Sequence, residues 1–464
     1  MKMRLYNTLA RSIEDLEPVR DDGVIGLYTC GPTVYDYLHI GNYRTYVFED
    51  VLRRALTCLG HKVRHVMNIT DVGHLTSQAD EGEDKMEVGA QREGKTAWEI
   101  AKFYEKSFLE DIGKLNIQKA DVLCRATDHI PEQIGLVRRL EEKGFTYRTS
   151  DGVYFDTSKF PGYGRLAGGA HMAGLQEGAR VQANPEKRGR CDFALWKFSP
   201  EGQKRQMEWD SPWGTGFPGW HIECSAMAMR YLGESFDIHC GGVDHIPIHH
   251  TNEIAQAEAA TGKPFVRFWL HGEFLVMNKA KMAKSAGGFI KLSDIVEKGF
   301  DPLDYRYFCY SAHYRKQLEF SWDALEAARS ARLRLGERAL DLGREGGKPD
   351  PDGVRRALDR FRERIADDLD VPGALAALWD ELKGGTMSAA SRLAFLKQAD
   401  QVLALGLCGA GDDCLPADLQ AVFDRYVAAR AKKDFAASDA LRSELAGKGV
   451  IVKDTPAGSV WKRA

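Results

Sequence analysis

Two short strings in this chain carry groups suited to holding a polyphosphate. His39-Ile-Gly41-Asn42 sets an imidazole, a glycine and an amide at the start of a helical pattern, and Lys281-Met-Ala-Lys284-Ser285 sets two ammonium groups in a glycine-bearing loop. Backbone donors and the positive dipole end at a helix amino terminus favour phosphate. Gly241-Gly-Val-Asp244 follows a strand-like run and ends in a carboxylate able to grip a ribose hydroxyl. His249 and Glu253 stand four residues apart, a spacing that serves half a metal site or an ordinary helix ion pair equally well. Cys30 and Cys224 are too far apart in sequence for any finger-like spacing to join them, and His239, Cys240, His245 and His250 are rival ligand types nearby.

The elements that must position these groups follow from hydrophobic periodicity. Val24 to Cys30 is apolar enough for a central parallel strand. A helix ending at Gly60 then carries Val47, Phe48, Val51, Leu52, Ala55, Leu56 and Leu59 on one face, and Lys62 to Ile69 reads as a second strand. Strand, helix, strand is a crossover that brings the helix amino terminus beside the first strand end, so His39, Gly41 and Asn42 fall where phosphates could rest. Residues 70 to 95 are polar and acidic and read as an excursion before a helix over Thr96 to Leu115. A helix over 131–143 stops at Gly144, and Phe145 to Phe155 reads as a hairpin inside an inserted domain spanning about 125–217.

Trp220 opens a further amphipathic helix, Phe236 to Asp244 returns to strand, and the lysine loop follows Phe274-Leu-Val-Met277. After Ser321, a helix cap, the pattern becomes charged amphipathic helices. Leu325, Leu333 and Leu335, then Val354, Leu358, Phe361, Ile365 and Leu369, then Leu375, Leu378 and Leu382 supply their apolar faces. The expected fold is therefore α/β: a Rossmann-like parallel-sheet catalytic domain over 1–320 with its insertion, a helical bundle over 321–404, and a small unit over 405–464. In that last unit Trp461-Lys-Arg463 sets an aromatic among bases, a pairing suited to stacking on unpaired nucleotides.

Composition narrows the class. The chain has 464 residues, 44% of them apolar, enough for several well-cored domains. A net charge of -3 argues against a surface that coats polyanions wholesale and leaves a local nucleic-acid face open. Nine scattered cysteines read as reduced thiols, some of them candidate ligands. The amino terminus lacks the apolar core of a signal peptide and no run reaches the roughly 20 apolar residues of a membrane span, so a cytoplasmic protein without membrane attachment is expected.

Together, the His39 and Lys281 strings match in order and spacing the paired signatures of class I aminoacyl-tRNA synthetases. Tyr28-Thr-Cys-Gly-Pro-Thr-Val-Tyr-Asp36, Gly219-Trp-His-Ile-Glu-Cys224, Gly241-Gly-Val-Asp244 and His249-His-Thr-Asn-Glu253 narrow the resemblance to cysteinyl-tRNA synthetases. Lys433-Asp-Phe-Ala-Ala-Ser-Asp-Ala-Leu-Arg442 and Asp454-Thr-Pro-Ala-Gly-Ser-Val-Trp461 resemble the carboxy-terminal portion of that family, so the likeness covers nearly the whole chain. It implies one Zn2+ per chain on Cys30, Cys224, His249 and Glu253, a cysteine pocket lined by Thr70 and Trp220, and ATP held by His39, Gly41, Asn42, Asp244 and Lys284, with Lys281 assisting. It implies ATP with Mg2+, L-cysteine and tRNA(Cys) as partners, a monomeric enzyme, a stem-contact region at about 262–320, and cysteinyl transfer through an adenylate. Ala283 departs from the serine usual in the lysine loop, and the acidic 78–84 stretch departs from the commonest form of its region. Two other expectations stay open: a cysteine:amino-sugar ligase, which shares the catalytic half and needs no anticodon unit, and a non-catalytic tRNA-binding paralogue.

Overall fold

Strands that are covered on both faces read as near-continuous apolar runs, and five of them build the central parallel sheet. The computed structural model describes residues 1–73, 85–168, 184–200, 202, 205–277, 280–281, 289–384, 387–407, 417–455 and 458–463. The sheet elements are β1 (Val24–Thr29), α1 (Ile40–Cys58), β2 (Lys62–Ile69), β3 (Val122–Arg125), α2 (Trp220–Leu232), β4 (Phe236–Gly242), α3 (His249–Thr261) and β5 (Val266–Gly272). Strand order is β5-β4-β1-β2-β3, so the chain leaves β1 in both directions and the β1/β4 boundary is the topological switch point. Ligand crevices of such sheets open there, beyond the carboxyl ends of the strands.

One face of the sheet, with Tyr28, Val66, Phe236 and Trp269, packs on Met227 and Ala228 of α2 and Ile254 and Ala257 of α3. On the other face lies α1, which buries Val47, Val51, Leu52, Ala55 and Leu56. Full burial of side chains of this size is worth about 1.5–3 kcal/mol each. Thr29 Oγ1 meets His65 Nε2 at 2.9 Å on this side, and His65 Nδ1 faces Arg53 of α1.

The region between β3 and α2 forms its own layer, the helix Ile130–Glu142 with an antiparallel sheet of Thr146–Thr149, Gly152–Phe155, Phe193–Phe198 and Gly216–Pro218. Two elements depart from the sequence reading. The stretch read as a polar excursion includes a helix, Lys85–Glu93, and an amino-terminal hairpin, Arg4–Asn7 with Ser12–Asp15, is tied to β5 by Thr8 N–H donating to Trp269 O at 2.9 Å. Both are short and mostly polar, so periodicity is a weak signal for them.

Helices Trp322–Glu345, Pro351–Ala366, Val371–Lys383 and Ala389–Leu403 follow, capped by the side chains of Ser321, Asp350, Asp370 and Ser388. The pattern assigns Leu333 to the apolar face, yet it is 47% exposed; Leu325, Leu335, Ala339 and Leu342 carry the buried stripe. Arg306 joins these helices to the part that carries the parallel sheet. Fully buried, it donates to Asp50 Oδ2 of α1, to Leu115 O and to Leu403 O. Residues 1–407 form one compact unit and 408–464 another. Within the second, helices Ala417–Ala431 and Phe435–Gly447 and a hairpin, Val450–Thr455 with Gly458–Arg463, share a core of Tyr426, Leu445, Val450 and Val452. Trp461 is half-buried against that core.

Glu49 of α1 is buried, and among the described residues neither of its carboxyl oxygens has a hydrogen-bond partner. Burial holds its carboxyl well above the usual range, so the neutral acid is the form the fold accepts. Stability linked to this group is complete below the ordinary carboxyl value of 4.5 and is lost as pH climbs toward the raised folded value. Glu49→Met, similar in volume and free of the desolvation cost, is expected to raise the thermal midpoint at neutral pH by about 1–4 °C. A pH series of melts should show the gain shrinking toward pH 4; a gain that is absent or independent of pH would count against this account.

Candidate functional site

The ends of β1 and β2 come unusually close. A Cβ on Gly31 would lie 1.6 Å from Asn68 O, so only glycine fits, and Gly31 N–H donates to Asn68 Oδ1 at 2.8 Å. Beyond it the two chains stay laced, with Thr70 N–H donating to Pro32 O and Val34 N–H to Thr70 O. Cys30 N–H donates to Cys240 O at 3.2 Å, which fixes the residue between β1 and β4 at the switch point. Helix α2 contributes Cys224, and α3 contributes His249 and, one turn on, Glu253. Ligand atoms of Cys30, Cys224, His249 and Glu253 all lie within 4.8 Å of one another, and all four residues are buried. A second set, Cys30, His239, His250 and Glu253, meets the same limit and shares two members with the first. Cys240 and His245, the other rivals, belong to neither set.

Around the first set, the remaining polar atoms are already engaged. His249 Nδ1 meets His221 Nδ1 at 2.8 Å, a contact that fixes the ring; with the proton of that contact on Nδ1, a metal ion could displace the proton on His249 Nε2 and take its lone pair. His249 Nε2 lies 3.1 Å from Glu253 Oε1 without hydrogen-bond alignment, and Oε1 is a buried oxygen with no hydrogen-bonded partner among the described residues. Glu253 Oε2 accepts from His239 Nε2 at 3.0 Å. His250 links Cys30 Sγ (3.4 Å) to His271 Nε2 (2.8 Å), and His271 Nδ1 reaches Thr8 Oγ1 at 2.7 Å. Burial keeps His250 and His271 well below the usual imidazole range and hence neutral.

Charge inside the cluster is polarised. Burial raises the Cys30 thiol well above its ordinary value, while a hydrogen bond with Cys30 brings Cys224 down to about 7. Burial opposes charge on His249, yet the Glu253 carboxylate and the Cys224 sulfur together outweigh it and lift the imidazole to about 10; burial likewise opposes ionisation of Glu253, yet His239 and His249 together hold it at about 2. Two sulfurs, an imidazole and a carboxylate converging in a dry pocket form a donor set that suits a divalent, sulfur-tolerant metal such as zinc.

Next to this cluster, Thr70 Oγ1 donates to Glu223 Oε2 at 3.0 Å and accepts from Asn68 Nδ2 at 3.1 Å, and the Trp220 ring packs 5.1 Å from that of His249. Burial raises Glu223 to about 8, which keeps it a neutral acid at pH 7. His39 caps α1: its Nδ1 accepts from Asn42 N–H, and Asn42 Oδ1 accepts from His39 N–H. A Cβ on Gly41 would lie 2.9 Å from His39 Nδ1, so glycine leaves room for this imidazole. Ile40 N–H donates to Ile290 O, so two first-turn donors of α1 are already engaged, and phosphate contact there falls chiefly to side chains. Asp244 stands in the one-turn helix Val243–His245 directly after β4. Lys281 lies in the short strand Ala280–Lys281; Lys284, Ala283 and the acidic 78–84 stretch lie outside the described residues.

Residues 16–330 match the family of class I tRNA synthetase (C) catalytic domains, and residues 412–461 match the cysteinyl-tRNA ligase anticodon binding domain. Cysteine–tRNA ligase 1 of Burkholderia lata is 51% identical over 464 residues, covering 99% of this chain and 96% of the relative. The chain belongs to the cysteine–tRNA ligase family. A second relative, cysteine–tRNA ligase of Treponema denticola, is 43% identical over 493 residues and covers both chains completely. The fold extends to more distant synthetases. A LeuRS–tRNA–LeuAMS complex from Agrobacterium radiobacter aligns with a TM-score of 0.58 at 13% identity over 86% of each chain, and Mycobacterium tuberculosis methionyl-tRNA synthetase bound by methionyl-adenylate with 0.55 at 16% identity over 89% of this chain and 96% of the other.

As a cysteine–tRNA ligase family member, the chain has a site that sequence reasoning assembled only through resemblance. Sequence reasoning passed over His221, Glu223 and His271. The first two flank Cys224 in a string already singled out, so their position beside a ligand was the available signal; His271, at the end of β5, had none. Gly31→Ala is expected to force the ends of β1 and β2 apart, with loss of metal binding and at least about a hundredfold loss of activity. Gly113→Ala, inside helix Ala97–Lys114 with open space at its Cβ, should be neutral or stabilising by up to about 1 kcal/mol. Parallel melts and metal analysis of the two variants test the contrast, and a functional Gly31→Ala enzyme would refute it.

Proposed function

We propose that this chain is a cysteine–tRNA ligase in which a zinc ion on Cys30, Cys224, His249 and Glu253 selects the substrate by its thiolate, and in which cysteine passes through an adenylate to tRNA(Cys). The observation that carries this reading is the buried convergence of four donors at the β1/β4 switch point, beside Thr70, Trp220 and the His39 cap. This set is preferred to the one with His239 and His250 because it keeps both sulfurs. It also leaves His239 in place to hold Glu253 and His250 to hold Cys30. Zinc bound there would lower the pKa of a substrate thiol and accept it as a further ligand, which a serine hydroxyl does poorly. A bond that the competitor cannot make can discriminate by about 10⁴ or more, enough to make editing unnecessary.

The protein's own residues would do the rest by positioning and electrostatics. Thr70 and Trp220 line the cysteine pocket, Asp244 grips the ribose or the substrate ammonium, and His39, Gly41 and Asn42 border the phosphates of ATP, which enters with Mg2+. The cysteine carboxylate oxygen attacks the α-phosphorus, the bond to the pyrophosphate oxygen breaks, and Lys284 with Lys281 balances the charge that leaves. The 2′-hydroxyl of the terminal tRNA adenosine then attacks the cysteinyl carbonyl carbon and AMP departs. No protein nucleophile is required. The carboxy-terminal unit would read the anticodon, as its family match suggests. That tail also favours tRNA over an amino sugar as the acceptor. Among the described residues no helix is long and apolar enough to cross a membrane.

Cysteine-dependent exchange of pyrophosphate into ATP tests the first half. One zinc per chain is expected, exchange should fall after chelation and return with zinc, and serine should support it at least about 10⁴-fold less well. Efficient serine activation by the zinc-loaded enzyme would sink the selectivity argument. Removing residues after Leu407 tests the second half: tRNA affinity should drop by about tenfold or more and its salt dependence should flatten, with exchange retained. Unchanged affinity would show that the tail does not bind tRNA.

A further inference from the structure

Helix α1 carries His39 at its cap and, one turn further, Arg44, which is 4% exposed. The Arg44 guanidinium is bonded only to main-chain oxygens among the described residues: Nη1 donates to Glu273 O (2.8 Å) and Phe274 O, and Nη2 to His313 O (3.4 Å) and Lys316 O. No carboxylate is hydrogen-bonded to it, and burial lowers its pKa, a sign that this charge is expensive to keep here. The four carbonyls belong to two segments. Residues 273–274 run into the strand Leu275–Met277, and residues 313–316 precede the strand Leu318–Glu319. These strands pair with each other, Leu275 opposite Leu318, and Leu275–Met277 also pairs with Ala280–Lys281, Val276 opposite Lys281. Arg44 therefore clamps the base of the small sheet that bears Lys281 and leads toward Lys284.

The far side of that lysine-bearing segment is tied to the same helix, since Ile40 N–H donates to Ile290 O at 2.8 Å and His39 bridges to Lys291. Both ends of the segment are thus anchored on α1 within one turn of His39. A lysine in place of Arg44 would keep the charge, but its donors radiate from one nitrogen and cannot span carbonyls on two segments as a planar fork does.

We infer that Arg44 is a positioning residue for cysteine activation: through four backbone carbonyls it fixes, relative to the His39 end of α1, the root of the small sheet whose strand Ala280–Lys281 carries the first of the two lysines. The inference rests on the role proposed for Lys281 and Lys284. Because those lysines serve pyrophosphate departure only, loss of the clamp should slow adenylate formation and spare transfer from a ready-made adenylate. A merely structural arginine would affect both steps alike.

The test uses full-length enzyme as Arg44→Lys, Ile40→Pro and Lys284→Ala, with zinc content measured for each. Ile40→Pro removes the second anchor's donor at the first helical position, where proline is accepted, and His39 already has the extended backbone that a following proline requires. Two rates are read: cysteine-dependent pyrophosphate exchange, and single-turnover transfer to tRNA from gel-filtered enzyme–adenylate made with an extended incubation. Arg44→Lys and Ile40→Pro should lower exchange by about 10- to 100-fold while transfer stays within about twofold of the parent. If Lys284→Ala slows exchange alone but the two anchor variants slow both steps equally, or neither, the clamp is overturned and the lysine role stands. If Lys284→Ala leaves exchange intact, the lysine role itself is wrong and the inference falls with it. Should Arg44→Lys fail to fold, Ile40→Pro decides by the same comparison.

Discussion

Two thiols, an imidazole and a carboxylate share one buried volume at the edge of the parallel sheet, and the surrounding architecture answers to that constraint. The two thiols and the carboxylate repel one another once ionised, and little water reaches them to spread the charge. The protein meets this by polarising the set, with Glu253 held ionised by His239 and His249 and with His249 held protonated by Glu253. A divalent cation would replace that internal proton arrangement with direct bonds and would satisfy Glu253 Oε1, a buried carboxylate oxygen with no hydrogen-bonded partner among the described residues. The ring of histidines around the donors has the same logic. Each holds a ligand by a nitrogen or carries the hydrogen-bond chain outward, as His250 does through His271 to Thr8.

Convergence of that kind needs strand ends brought closer than side chains normally permit. Gly31 lets β1 end against Asn68, and a Cβ on Gly241 would strike the rings of His245 and His250, so glycines at both strand ends make room for the donors. The strand order reverses between β1 and β4, the point at which sheets of this kind open a ligand crevice. Helix α1 is the ruler of the nucleotide side. Its cap orients His39, its Arg44 holds the root of the lysine-bearing segment, and its Asp50 receives the buried Arg306 that ties in the last bundle helix through Leu403.

Part of the polar attachment of the bundle gathers on Asp368. Asp368 accepts from Tyr6 N–H, Tyr314 Oη and Arg315 Nε, and it and Leu369 both adopt left-handed backbone (φ 53° and 54°) between two helices. Non-glycine residues in that region cost on the order of 1–3 kcal/mol each and persist only where surrounding contacts over-determine them. Tyr314 stands two residues before Lys316, whose carbonyl Arg44 holds, so the same short segment meets both the bundle and the lysine-bearing sheet.

The α/β class, the β1–α1–β2 crossover and the apolar stripe of α1 were legible in the sequence, because long, strongly periodic segments leave few alternatives. His249 and Glu253 were visible as a pair because helical spacing is local, and His39 with Asn42 because a helix start is local too. Cys30 and Cys224 could be joined only by resemblance, since they stand 194 positions apart and no spacing rule spans that distance. The tertiary structure alone decided which histidines face the donors, that His221 meets His249 and Glu223 meets Thr70, that Leu333 points outward, and that Arg44 spends its charge on main-chain carbonyls. All four depend on which elements pack against which, information that lies in long-range contacts and not in the order of residues along any one element.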